Sequence, residues 1–404
     1  MDAILNRTVG LLVVAILVAI IARRLRLPYT VGLVVTGAGL ALAHLEAGAT
    51  LTHQFIFDVI LPPLLFEAAL DIRWPELRRD LLPVLILSTL GVVISAAAVA
   101  AGLIWILGWP TPSAVVFGVL IAATDPVAVI AMFKDTGVKG RLRLLVEGES
   151  LLNDGVAAVL FALALIWAQG ANDQAMTAVT VLRTLVQMAG GGIAVGLACG
   201  AAAIFVAGRT TDSLVETALT AVAAYGSFLL AEHFGFSGVL ATVAAGMVMG
   251  NMGVLADGDR NVFSTHGRNF VVAFWDFAAF IANSIIFLLI GVVVAGIHFD
   301  RVGISALLTI MGLVLLGRAL SVYPLCLIFR RGKRAIPMRE QHVLWWGGLR
   351  GALALALALS LPVSMPLRNQ ILVAAFGVVI FSVLIQGMTM TPLLRMLKIL
   401  PLKA

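Results

Sequence analysis

Charge is scarce in this chain. Of its 404 residues only 12% are charged, 27 Lys and Arg against 21 Asp and Glu, about half the roughly 25% usual for soluble domains. A soluble globular protein is excluded on that ground. Cysteine is nearly missing: Cys199 and Cys326 each sit alone in an apolar run, so neither a disulfide framework nor a paired-cysteine metal site can be built. The formal charge of +6 does not point to nucleic acid. Lys and Arg fall in short clusters between apolar stretches and not along one face. The apolar stretches hold no nucleophile–base pair and no histidine-rich metal motif, which argues against a membrane enzyme.

What the chain has is hydrophobicity, 61% of residues. Cutting it at charge clusters and at Pro, Gly and Asn gives apolar segments near 3–22, 29–45, 53–70, 81–107, 112–133, 144–170, 177–207, 213–233, 236–252, 269–298, 302–329, 339–361 and 368–396. A bilayer span needs roughly 20 mostly apolar residues, so the pattern predicts thirteen transmembrane helices. Positive charge is retained on the cytoplasmic side, and alternate loops divide unequally. Basic clusters at 23–26, 73–79, 134–143, 209, 260–268, 330–339 and 395–403 fall on one side; Arg7, Arg301 and Arg368 fall on the other. The expectation is an N-terminus outside and a C-terminus in the cytoplasm of a multi-pass plasma-membrane protein, the inner membrane in a bacterium. Asp2 stands where a signal peptide has basic residues, so the first span is expected to be retained. Loops are short, and no cytoplasmic tail domain is expected.

An ionisable residue near mid-membrane costs several kcal/mol and requires a partner or a function. Six stand out: Glu67, Asp125, Glu149, Asp154, Arg318 and Arg350. At 1.5 Å rise per residue, Asp154 lies roughly 15 Å into span six and Asp125 roughly 20 Å from the outer end of span five, so the two can meet at similar depth. Span five contains Thr124-Asp125-Pro126. Pro126 lacks an N–H and breaks the hydrogen-bond ladder, and unwound backbone at this depth marks the ion site in transporters. A plain proline kink, with Asp125 capping the second half-helix, is the alternative. Span six carries Glu149-Ser150-Leu151-Leu152-Asn153-Asp154, in which Ser150 and Asp154 share one stripe and Glu149 and Asn153 the next. Hydroxyl, carboxylate and carbonyl oxygens suit a hard cation; a polar packing seam is the alternative. Span twelve holds Gly347-Gly348-Leu349-Arg350-Gly351. It runs opposite to span five, as an inverted repeat with crossed, interrupted helices would place it.

At these residues the chain resembles the sodium/proton antiporters of the cation:proton antiporter superfamily, in the NhaP-like and animal exchanger branch. The resemblance covers nearly the whole chain. It rests on Leu61-Pro62-Pro63 followed by Glu67, on Ala123-Thr124-Asp125-Pro126, on Glu149-Ser150 with Asn153-Asp154, on Gly317-Arg318-Ala319 and on Gly348-Leu349-Arg350-Gly351. It implies an all-α, NhaA-like antiporter fold of thirteen helices in which inverted six-helix repeats cross at broken helices five and twelve. A scaffold over about 1–75 and 177–300 would form a homodimer, and a core over about 80–170 and 302–396 would carry the ion. By resemblance Asp154 is the essential carboxylate, with Ser150, the Thr124 backbone, Glu67, Asn153 and, through water, Asp125 around sodium. Glu149 and Arg318 form a structural ion pair. Arg350, with Pro126 and Gly351, belongs to the helix crossing.

The relatives that move net charge carry two adjacent aspartates where this chain has Asn153-Asp154, so one exchangeable carboxylate implies electroneutral one-for-one exchange of sodium, or lithium, for a proton. No cofactor is implied. The partners are monovalent cations, protons, lipid and a second copy of the chain, and the role is pH homeostasis. A potassium/proton antiporter, a sodium-coupled organic-solute carrier and a channel are the rival readings, since fold does not fix function. The acidic midplane disfavours an anion carrier. Asp58 and Asp276 lie nearer the membrane faces, as entry-funnel or simply hydrated residues. The histidines His44, His53, His233, His266, His298 and His342 fall near helix ends or loops, where His266 is a candidate cytoplasmic pH sensor, though a solvated loop histidine is the plainer reading.

Overall fold

A computed structural model describes residues 2–25, 28–43, 52–170, 178–256, 262–297, 303–332 and 334–400. Arg26, His44, Arg260, His298, Arg301, Lys333 and Lys403 lie outside them. The described residues form helices and no strand. In chain order the first are α1 (Asp2–Leu25), α2 (Tyr29–Leu42), α3 (Leu61–Leu70), α4 (Trp74–Ser88), α5 (Leu90–Leu107), α6 (Thr111–Leu120), α7 (Val127–Thr136) and α8 (Arg141–Ala168). There follow α9 (Ala178–Ala207), α10 (Ser213–His233), α11 (Gly238–Met249), α12 (Thr265–Ala295) and α13 (Ile304–Ile328). The last are α14 (Met338–Trp346), α15 (Ala352–Leu359), α16 (Arg368–Phe381) and α17 (Gly387–Met396). Short π-helical turns precede α3 at Phe55–Ile60, follow α11 at Gly250–Val254 and join α16 to α17 at Ser382–Gln386. Seven helical runs among the described residues are long and apolar enough to cross a membrane.

One helix start differs clearly from the sequence reading. The fourth run begins at Trp74 and not near 81, because Pro75 at the first turn and Glu76 just after it favour helix initiation. Arg78 and Arg79, read as loop residues, are therefore helical. The fifth and twelfth segments are each two helices. The chain leaves helical geometry between Leu120 and Val127 and again between Trp346 and Ala352.

Packing sorts the helices into two neighbourhoods. In one, α2 lies along α12, α3 along α11, and α9 and α10 along α11. In the other, α5 packs between α13 and α6, and α8 packs on α4 and α6. The α2–α12 contact is close because Gly37 and Gly291 face it: a Cβ on Gly37 would strike the Leu288 carbonyl, and one on Gly291 the Val34 carbonyl. Small residues that let backbones approach in this way drive helix association in lipid. Three basic segments far apart in sequence meet on one face. Arg141 donates to Asp80 at 2.8 Å and to the carbonyls of Arg334 and Ala335, and Arg334 donates to the Arg79 carbonyl.

Candidate ion site at the two interrupted helices

The two interruptions lie against each other. Asp125 N–H donates to the Leu349 carbonyl at 2.8 Å. Arg350, buried, donates to the carbonyls of Ala122 at 2.6 Å and Ala123 at 2.9 Å. Neither carbonyl has a helical donor: Pro126 lacks the N–H that Ala122 would use in a continuous helix, and Val127 N–H, which Ala123 would use, goes to Asp125. The guanidinium thus supplies both charge and hydrogen bonds to the exposed carbonyl end. Gly351 is required at the contact, since a Cβ there would overlap the Asp125 carboxylate.

Helix α8 supports the first interruption with side chains. Thr124 N–H donates to Asn153 Oδ1 at 3.1 Å, and Asn153 Nδ2 donates to Thr124 Oγ1 at 2.7 Å and to Glu149 Oε1 at 3.2 Å. Ser150 Oγ donates to the Thr124 carbonyl. Since Ser150 has one proton, the Thr124 hydroxyl must donate to Ser150 Oγ, 3.1 Å away. Every polar atom of Thr124 is thereby engaged.

Glu149 is held from its other side by Arg318 of α13, which donates to both carboxylate oxygens at 2.8 and 2.7 Å and to the Leu344 carbonyl at 3.0 Å. Both side chains are buried. Asp154 is different. It is 8% exposed, and its Oδ1 is buried with no hydrogen-bond partner, an arrangement that costs roughly 1–3 kcal/mol or more unless a proton or cation fills it.

Asp154, Asp125, Thr124, Pro126 and Gly351 line one cavity of about 50 Å³. Asp125 Oδ1 accepts from Val127 N–H at 2.9 Å, so this residue both caps α7 and faces the cavity. Ser150 lines a separate crevice with Glu149 and Arg318. Glu67 lines a second, larger cavity of about 190 Å³, as does Asp276. These two cavities share Leu64, Ala68, Pro126, Val127 and Leu151 as walls. Asp58 is exposed.

Several contributors were not singled out from sequence. Tyr29, Asp71, Arg143, Glu147 and Asn283 line the larger cavity, and of these only Asn283 had a readable signal, its spacing of seven from Asp276 on one helical stripe. Ser382 holds the second interruption: its Oγ accepts from Arg350 N–H at 3.0 Å and lies 3.1 Å from Arg350 O and 2.8 Å from Val379 O, one of which takes its proton. His53 Nδ1, 2.9 Å from the Ala356 carbonyl, must carry the proton and donate it there.

Comparison with known proteins places the chain in one family. The family model described as the transmembrane sodium/hydrogen exchanger matches residues 11–396. The Na(+)/H(+) antiporter ApNhaP of Aphanothece halophytica is 42% identical over 375 residues, covering 92% of this chain and 70% of that one. The Na(+)/H(+) antiporter NhaH of Halobacillus aidingensis is 34% identical over 398 residues, 96% of each chain. Among solved structures, the sodium proton antiporter MjNhaP1 of Methanocaldococcus jannaschii shares the fold with a TM-score of 0.77 at 22% identity over the full length of both chains. This multi-pass, all-helical membrane protein belongs to the transmembrane sodium/hydrogen exchanger family.

Proposed function

We propose that the protein exchanges sodium, or lithium, for protons across the plasma membrane by alternating access, with one cation and one proton competing for Asp154. The observation that carries this reading is the buried, unpartnered Oδ1 of Asp154 beside a small cavity at the crossing of two broken helices. A bare carboxylate in a low-dielectric site is costly, so Asp154 favours occupation by one ligand or the other, and binding one expels the other. Glu149 is neutralised by Arg318 and does not exchange. One exchangeable carboxylate gives one-for-one, electroneutral transport, provided that the loaded site crosses and the charged, empty one does not.

Ser150, Thr124, Asn153, Asp125 and Glu67 complete this site in the proposal. Ser150 and Thr124 are hydrogen-bonded to each other, and the Thr124 carbonyl keeps its second lone pair for a cation. The proposed architecture is thirteen spans with inverted six-helix repeats crossing at α6–α7 and α14–α15. The N-terminus is outside and the C-terminus cytoplasmic. A scaffold that includes α2, α3 and α9–α12 is the dimerising part, and a core that includes α5–α8 and α13–α17 is the moving part. The relatives named above are sodium/proton antiporters by name, which favours sodium over potassium or an organic solute.

Purified protein in liposomes with a pH dye inside, challenged with sodium, lithium, potassium and choline at several clamped voltages, tests this directly. Proton movement driven by sodium or lithium and indifferent to voltage is expected. Voltage-dependent movement overturns the single-carboxylate stoichiometry; response to potassium alone, or to no cation, overturns the assignment of substrate.

A further inference from the structure

We propose that the protein holds an anionic phospholipid with a hydroxylated headgroup in a cleft between α12, α15 and α16. The cleft has a volume of about 700 Å³ and shares no lining residue with the cavities at the helix crossing; small-molecule sites span roughly 300–1,000 Å³. It lies where α12 and α15 end and α16 begins. In the proposed topology these three ends meet at the outer membrane surface, the level of lipid headgroups.

The lining grades from charged to apolar. Arg368, Leu372 and Phe376 of α16 follow one another at spacings of four, which sets them on one face with the charge at the helix start. Val293 and Ile297, at the end of α12, continue the apolar part. At the polar end, Arg368 Nε donates to the Leu361 carbonyl at 2.8 Å. Its two terminal nitrogens make no hydrogen bond among the described residues, and no Asp or Glu lines the cleft. A guanidinium free in this way matches two phosphate oxygens at once. Gln370, also in the lining, gives a second signal: its Oε1 is buried with no hydrogen-bond partner, and a buried acceptor is stabilised by a donor.

These features select the ligand. A free phosphate would satisfy Arg368 but leave the apolar wall uncovered and Gln370 without a donor. A phospholipid covers the wall with an acyl chain and brings its phosphate to Arg368, as basic pockets between membrane helices do for anionic headgroups. A headgroup hydroxyl then donates to Gln370 Oε1. An ammonium headgroup would donate as well, but it would set a second cation beside Arg368. A lipid seated here touches α12 on one side and α15 and α16 on the other. In the alternating-access reading, on which this consequence rests, those are scaffold and core, so occupancy favours the conformation described here over one in which they have shifted.

Native mass spectrometry of delipidated, detergent-solubilised protein tests the site, with phosphatidylglycerol, phosphatidylethanolamine, phosphatidylcholine and inorganic phosphate as probes. Phosphatidylglycerol is expected to bind ten-fold or more tightly than either of the other lipids, and Arg368→Gln to abolish that preference. A second variant fills the cleft without touching the charge. Gly296 has φ −89°, and a Cβ there meets only the Val293 carbonyl at 3.5 Å, so Gly296→Leu is accommodated by the backbone and should also abolish the preference. Equal binding of phosphatidylglycerol and phosphatidylcholine overturns the proposal, as does a preference unchanged in both variants. Phosphatidylethanolamine binding as tightly as phosphatidylglycerol overturns the hydroxylated headgroup. Displacement of phosphatidylglycerol by inorganic phosphate overturns the lipid in favour of a free anion. Sodium-driven exchange in phosphatidylcholine liposomes with and without phosphatidylglycerol reads the consequence separately: a rate that phosphatidylglycerol changes in the parent and not in Arg368→Gln is expected. An unchanged rate in the parent overturns the link to transport, and a failure of the alternating-access reading leaves the binding preference intact.

Discussion

Two buried arginines near the crossing serve different ends. Arg318 meets a full opposite charge, and both oxygens of Glu149 are taken by its two terminal nitrogens. Arg350 meets carbonyl dipoles from a broken helix. Removing one member of a buried pair strands the other, at a cost of roughly 3–5 kcal/mol. Glu149→Gln and Arg318→Ala are therefore expected to lower the melting temperature in detergent by several degrees or more. Asp154→Asn is nearly isosteric and breaks no hydrogen bond at Oδ1, so it should melt close to the parent while abolishing exchange. Fluorescence-detected melting beside liposome exchange checks all three; normal melting with altered sodium affinity in Glu149→Gln would assign that carboxylate to the ion site instead. At this scale the sequence was informative because charge in an apolar span is rare. Its blind spot was neutral polar residues, such as Ser382 and Tyr29, which look like ordinary membrane-helix content until the fold brings them together.

At the scale of the element, proline alone does not explain the interruption at Pro126. Pro83, Pro324 and Pro392 lie inside continuous helices α4, α13 and α17. What distinguishes the stretch at 121–126 is that its freed backbone groups find other partners. Thr124 N–H goes to Asn153, Asp125 N–H to Leu349, and the carbonyls of Ala122 and Ala123 to Arg350. A break at membrane depth persists only where such groups are satisfied, so two distant segments and α8 must agree before either interruption can form. The motifs therefore announced a break, but the sequence alone left a simple kink equally open. Ser382 does for Arg350 what Ser150 and Asn153 do for Thr124, from the π-helical turn that joins α16 to α17. Ser382→Ala should remove a hydrogen bond of about 1 kcal/mol and reduce exchange several-fold. Gly351→Ala, which drives a methyl group into Asp125, should reduce it more than ten-fold while protein yield is retained. Equal, small effects from both would mean that the crossing tolerates displacement and is not a fixed scaffold for the site.

For the whole molecule, the charge alternation of the loops has a spatial counterpart. The segments at 73–79, 139–143 and 330–339 come together around Arg141 and Arg334. The larger cavity is lined by Asp71, just before the first of these segments, and by Arg143, from the second. In the proposed orientation the basic face is cytoplasmic, and His53, near the opposite side, donates to Ala356 of α15. Ala68 lines both cavities, so a thiol placed there reports which face has access. In a Cys199→Ala, Cys326→Ala background, Ala68→Cys should react with a charged, membrane-impermeant thiol reagent in inside-out vesicles and remain protected in right-side-out ones. Breaking the outer contact with His53→Ala should raise outside labelling several-fold, because the equilibrium shifts by the differential stability lost from the state that makes it. Labelling from outside in the parent would reverse the orientation. Labelling from both sides at equal rates would mean that the two cavities join into an open pore, which an exchanger working by alternating access cannot have.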